Sequence, residues 1–84
     1  MKLLIGRIQI ELLEPSPDLE AIPEGQAETY RLFMALAHDD NPSFKAGTIL
    51  EQLKLQSLLP LTSRIEHLRD RGLIRLKKCL MAAT

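Results

Sequence analysis

The most regular alternation of apolar and polar residues lies in the second half of the chain, where it predicts two helices followed by a strand. In the later helix the apolar residues are spaced by three and four positions and share one face. They are Leu58, Leu61, Ile65 and Leu68. Ser57 is a typical N-cap, and Gly72 suits the left-handed conformation that ends a helix. We therefore predict a helix over residues 57–71.

An amphipathic segment precedes this helix, and an apolar one follows it. The apolar residues of the first are Ile49, Leu50 and Leu53, opposed by polar residues on the other side of a helical projection. This pattern predicts a helix over residues 46–55, with Leu55 closing a tight turn into the next helix. After the glycine, a short sequence that includes β-branched Ile74 predicts a strand over residues 73–80.

The N-terminal fourteen residues alternate between apolar and polar positions. The apolar ones are Ile8, Ile10 and Leu12, and Arg7, Gln9 and Glu11 lie between or before them. A period of two is typical of a half-buried strand, so we predict an N-terminal strand over residues 1–14. A short helix is the alternative, because the leucines of this segment do not disfavour one.

Prolines and turn residues divide the next part of the chain. Three prolines predict a linker without regular structure over residues 15–23. A helix over 24–38 follows, ending before an Asp-Asp-Asn-Pro turn. Its predicted buried stripe consists of Tyr30, Phe33, Met34 and Ala37. Residues 43–45 are expected to form a single short strand anchored by Phe44.

The predicted strand over residues 73–80 has no following turn that would make a hairpin, because no Gly, Asn or Asp occurs after it. An unpaired strand leaves an open edge that an apolar chain must cover. We therefore expect residues 5–13 to pair with residues 73–80, either within one molecule or across a dimer.

Composition places the chain among small single-domain proteins. It has 84 residues, of which 45% are hydrophobic and 4% aromatic, so the core is aliphatic. This apolar supply suggests burial against a second copy, and we expect a homodimer. The single cysteine, Cys79, cannot form an internal disulfide. Polar residues interrupt the N-terminus too early for a signal peptide or a membrane span, so we expect a soluble cytoplasmic protein.

The charges are divided unequally between the halves, although the formal net charge is zero. Residues 1–44 carry three basic and eight acidic side chains, a net charge of −5, and residues 45–84 carry eight basic and three acidic ones, a net charge of +5. A locally basic face can attract phosphates even in a neutral molecule. Alternatively, the two halves attract each other, within one molecule or between two.

Residue types that carry catalysis or bind cofactors are not grouped in the sequence. His38 and His67 lack metal-like spacing to Cys79 or to a carboxylate cluster. There is no nucleophile elbow and no glycine-rich phosphate loop. We expect no enzyme activity, no cofactor, no metal and no small-molecule ligand.

The order of these elements resembles the winged helix-turn-helix domain of bacterial transcription regulators. The resemblance covers residues 26–78 and depends on Leu53, Leu55, Leu61, Ile65, Leu68 and the run Gly72-Leu73-Ile74. It implies a mainly α fold with three helices and a small β-sheet, to which the paired N-terminal and C-terminal strands expected above would belong. It also implies binding to double-stranded DNA by a homodimer, with the helix over 57–71 as the recognition helix.

The resemblance also implies which residues contact DNA. Thr62, Ser63 and Arg64 suit base edges, and Lys45, Lys54, Arg75, Lys77 and Lys78 suit phosphates. His67 on the outward side and Arg71 on its flank complete this predicted set. Glu66 and Asp70 share the face, where pairing with Arg69 or other cations would neutralise them. The alternative is a protein-contact or assembly module, since Leu59 and Pro60 lie on the same outward side.

Overall fold

The structure is a computed structural model that describes residues 1–13 and 18–78, with Lys78 described by its backbone alone. Within these ranges the chain is an α+β protein with three α-helices and a four-stranded mixed sheet. The elements are β1 (Lys2–Ile5), β2 (Ile8–Leu12), α1 (Glu24–Leu36), β3 (Ser43–Phe44), α2 (Ala46–Leu53), α3 (Leu58–Asp70) and β4 (Ile74–Lys78). A single 3-10 turn, Leu19–Ala21, precedes α1.

The N-terminal hairpin occupies the centre of the sheet, whose strand order is β3-β1-β2-β4. β1 pairs with β3 in parallel, and the other two pairings are antiparallel. Residues Ile8–Leu12 lie opposite Ile74–Lys78 in the same molecule. The predicted pairing of the N-terminal and C-terminal strands is therefore confirmed for residues 8–12 and is intramolecular, whereas Ile5 pairs with Ile8 instead. The predicted end of the last strand, residues 79–80, lies outside the described residues.

The prediction of one N-terminal strand over residues 1–14 is wrong, since this segment is a two-stranded hairpin. Ile5 lies opposite Ile8, which leaves Gly6 and Arg7 as a two-residue turn. Gly6 has φ +62°, a conformation that glycine adopts without a Cβ clash and that such turns require at their first position. The alternative of a short helix is also wrong, because both halves of the segment pair as strands.

The three predicted helices are present, each two residues shorter than predicted. α1 ends at Leu36 rather than residue 38, because Ala37 is extended and His38 forms a bridge with Lys2. α3 begins after Ser57, which takes the N-cap position without a side-chain hydrogen bond. Gly72 has φ +80°, as its role after the helix requires. The short strand before α2 is also present, over two residues.

The predicted linker contains one element of regular structure. Its 3-10 turn is capped by Asp18, whose Oδ1 accepts a hydrogen bond from the backbone N–H of Glu20 at 3.0 Å. The expectation that no part of residues 15–23 is regular is therefore wrong, because a local side-chain cap stabilises a short turn between the prolines. Residues 14–17 lie outside the described part of the chain.

The core lies between the inner face of the sheet and the three helices. Its buried residues include Leu3, Ile5 and Ile10 from the hairpin, Tyr30 and Phe33 from α1, Ile49 and Leu53 from α2, Leu61, Ile65 and Leu68 from α3, and Ile74. The expected burial of Met34 and Leu58 is wrong, since these side chains are 42% and 53% exposed. The buried residues of α1 flank Tyr30 on both sides in helical projection, at Ala27 and Thr29, whereas Met34 lies near the end of the helix, and Leu58 is the first residue of its helix.

Among the helices that the structure describes, none has the length and hydrophobicity needed to cross a membrane.

Candidate nucleic-acid interface

α2 and α3 form a helix pair joined by the four residues 54–57. The turn is closed by backbone hydrogen bonds, from Lys54 N to Glu51 O at 3.2 Å and from Leu55 N to Leu50 O at 2.9 Å. Because α3 buries its stripe of Leu61, Ile65 and Leu68, the side opposite this stripe is left open to solvent.

We call the solvent-exposed surface of this helix the outer face of α3. Its exposed residues are Leu58, Leu59, Pro60, Thr62, Glu66, His67, Arg69 and Asp70. Of the α3 residues predicted to contact DNA, Thr62 and His67 are exposed on this face, and Ser63, which helical spacing also places opposite the buried stripe, is half-buried. The face begins with an apolar turn and continues with polar and charged residues.

Arg64 lies against α1 instead of the outer face. Its Nη1 donates to Thr29 Oγ1 at 3.4 Å, and the buried Thr29 hydroxyl donates in turn to Gly25 O at 2.9 Å. The guanidinium also passes close to Gly25, where an added Cβ would lie 3.2 Å from it. Arg64 thus links α3 to α1, so reaching a base would require it to leave this contact. Sequence spacing does not reveal this arrangement, since Thr29 is 35 residues away.

The other two arginines of the predicted DNA-binding set each already have a partner. Arg71 Nε donates to Gln26 Oε1 at 2.8 Å, and Arg75 Nη1 lies 3.5 Å from Glu11 Oε1. On the outer face, Arg69 Nη2 lies 3.3 Å from Asp70 Oδ1, so Asp70 has the cationic partner expected for it. Glu66 has no ion pair within the described residues, and its carboxylate adds an uncompensated negative charge to the face.

The lysines differ from the arginines in this respect. Lys45, Lys54 and Lys77 are exposed, and within residues 1–13 and 18–78 none of them forms an ion pair. Lys45 is the N-cap residue of α2, Lys54 follows its last residue, and Lys77 lies on the edge strand β4. The backbone of Lys78 pairs with Ile8. Among the residues predicted to contact DNA, Lys45, Lys54 and Lys77 are therefore the cations most available to bind an anion.

Lys54 adopts a left-handed conformation with φ +57° and ψ +39° at the end of α2. This conformation destabilises the folded state by about 1 kcal/mol when the residue has a Cβ. Glycine, which has no Cβ, adopts it without that penalty. We therefore expect Lys54→Gly to raise the free energy of unfolding by about 1 kcal/mol, measured by urea denaturation. Lys54→Ala removes the same charge but keeps the Cβ and is the matched control. An equal gain in both variants would show that charge, rather than backbone strain, limits stability here.

The described residues hold no group of three or more His, Cys, Asp or Glu side chains that could bind a metal ion. A shallow cavity of about 240 Å³, lined by Ile8, Arg69, Leu76 and Lys77, lies where α3 meets strands β2 and β4. Its lining consists of two apolar and two cationic side chains and includes neither a nucleophile nor a carboxylate.

Comparison with known proteins gives no match to this chain among protein-family models, curated proteins or solved structures.

Proposed function

We propose that this chain is a winged-helix protein that binds double-stranded DNA through the outer face of α3. The observation that carries the proposal is the helix pair itself. α3 buries one stripe completely and exposes the opposite side, while a short turn fixes it against α2. A helix presented in this way fits the major groove of B-DNA, which is about 12 Å wide.

The arrangement of strands supports the same proposal. In a winged helix, a strand that follows the recognition helix pairs within a small sheet, and β4 does so here. Its partner is β2 of the N-terminal hairpin, so the strands that complete the sheet come from the beginning of the chain. We propose that this hairpin takes the place of the second wing strand.

The chemistry of the exposed residues suits a contact with DNA. Thr62 offers a hydroxyl that can donate to or accept from base edges, and Ser63 lies beside it. Lys54 at the turn and Lys45 at the start of α2 provide unpaired cations for phosphates. Glu66 opposes binding, so we expect the phosphate contacts to supply most of the affinity.

The experiment that tests the proposal is a titration of the protein with mixed-sequence duplex DNA at two salt concentrations. Each neutralised phosphate contributes about −0.9 to the slope of log affinity against log salt. If Lys45 and Lys54 each neutralise one phosphate, affinity falls about twelvefold between about 50 mM and about 200 mM salt. The absence of binding at the lower salt concentration would overturn the proposal.

A second candidate function is contact with protein, favoured by one specific observation. At the start of α3, Leu58 is 53% exposed and Leu59 is 77% exposed, and Pro60 beside them is exposed as well. An apolar turn with a charged rim is typical of a small protein interface. A second copy of the chain is the partner that we propose for it, and because this turn belongs to the outer face of α3, such a homodimer would compete with DNA for that face. Salt-insensitive self-association without duplex binding would favour this function alone.

A further inference from the structure

Three segments of the chain leave the sheet at the same end. β1 and β3 are parallel, and the N–H of Gly6 donates to Phe44 O at 3.1 Å, so Lys45 follows β3 directly beside the hairpin turn. β4 finishes at this end too, because its last residue lies opposite Ile8, the first residue of β2. The topology therefore brings together residues that are far apart in sequence.

Each of these three segments carries an exposed cation at this end of the sheet. Arg7 lies in the hairpin turn, Lys45 follows β3, and Lys77 lies near the end of β4. No ion pair engages any of them within the described part of the chain. We call this group the basic end of the sheet.

Acidic residues of the sheet and its connections lie towards the opposite end. Glu11 is opposite Lys2 and forms its ion pair with Arg75. Asp39 and Asp40 follow His38, whose backbone bonds to the backbone of Lys2. The sheet is therefore polarised along its strands, and an anion at the basic end meets positive charge without a nearby carboxylate from the sheet.

We propose that the basic end is a second phosphate-contacting surface, with Arg7 as a residue that binds the DNA backbone. This inference rests on the proposed DNA-binding function and adds to it contacts from the hairpin turn and β4, which lie outside the helix pair and extend the surface that begins at Lys45. Arg7 does not belong to the set predicted from sequence, because only the hairpin places it beside Lys45 and Lys77.

The shape of the basic end favours an extended polyanion over a single phosphate group. The three cations form a row across the end of the sheet: one follows β3, one lies in the turn between β1 and β2, and one lies on β4. The row therefore spans up to three strand spacings, about 14 Å. That length covers about four phosphates along one DNA strand, which rise about 3.4 Å each. The row is also open: a Cβ added at Gly6 or Gly47 would meet no atom within 4 Å, so a DNA backbone can approach the main chain closely.

The test compares the variants Arg7→Gln and Arg31→Gln, each of which replaces an exposed arginine with a neutral glutamine. Arg31 lies on α1 and pairs with Glu24 at 3.1 Å, away from the proposed surface. In salt titrations with mixed-sequence duplex DNA, we expect Arg7→Gln to make the slope shallower by about 0.9 and to weaken binding about tenfold at about 50 mM salt. Arg31→Gln is expected to match the parent. Because Arg7 forms part of a turn, Lys77→Gln at the same end provides a second variant with the same expected loss.

The outcomes separate this inference from the proposed function. If the parent binds duplex DNA but Arg7→Gln and Lys77→Gln both titrate like Arg31→Gln, the basic end is not a contact surface, while α3 remains the proposed one. If the parent shows no salt-dependent duplex binding, both proposals are overturned. An equal weakening by Arg7→Gln and Arg31→Gln would indicate a response to net charge alone and would also overturn the inference.

Discussion

Ile10→Ala is expected to lower the free energy of unfolding by about 3 kcal/mol, the usual cost of truncating a fully buried isoleucine. Ile10 is 0% exposed in β2, with Leu3 of β1 and Leu76 of β4 as its cross-strand neighbours. Truncation therefore leaves a cavity that three strands enclose. A domain of 84 residues has a total stability of about 4–12 kcal/mol, so the loss is a large part of it. Urea denaturation followed by circular dichroism measures the difference.

Ile8→Ala is the matched control, because it makes the same truncation two residues earlier on the same strand. Ile8 is 38% exposed and lines the shallow cavity beside Arg69, so little new empty volume results. We expect a loss below about 1 kcal/mol. Equal losses for the two variants would contradict the placement of the hairpin at the centre of the sheet, on which the basic end also depends.

The hairpin shows which part of the fold sequence patterns can predict. The alternation of apolar residues correctly predicts β-strand conformation. However, the residues whose side chains face the core have odd numbers before the turn and even numbers after it. Leu3 and Ile5 are buried before it, and Ile10 is buried after it. One straight strand cannot bury both sets on one face, since its side chains alternate with a period of two. That change of parity at Gly6 is the signal in the sequence for two strands.

The helices were predictable because each carries a stripe long enough to show its period. The pairing of the chain's two ends was also predictable, from the need to cover the edge of the last strand. Arg64 shows the limit of such reasoning: a projection of α3 places it on a flank, but its contact with Thr29 and its approach to Gly25 depend on how α1 packs. Likewise, the outer face of α3 was predictable in part, whereas the basic end required the sheet topology.

If α3 contacts DNA as proposed, Thr62→Glu is expected to weaken binding of mixed-sequence duplex DNA by about tenfold or more at low salt, because it places a carboxylate where the proposed complex brings a phosphate backbone or a base edge. Thr62 is exposed on the outer face of α3, and Glu66 lies one helical turn further on. The added repulsion between these carboxylates costs the folded protein only a few tenths of a kcal/mol. A binding titration together with urea denaturation separates the two effects.

Ala35→Glu is the control for net charge, since it adds the same carboxylate at an exposed position of α1. If α3 contacts DNA as proposed, the affinity of the Ala35→Glu variant for DNA lies within about twofold of the parent's. Charges separated from the DNA by more than a Debye length, about 10 Å, are screened. Glu66→Gln then strengthens binding, since it removes the unpaired carboxylate from the same face. Equal weakening by both glutamate variants would mean that DNA responds to the total charge and that α3 has no special position in the complex. No weakening by either would leave the exposed leucines at the start of α3 as the better indication of what this helix contacts.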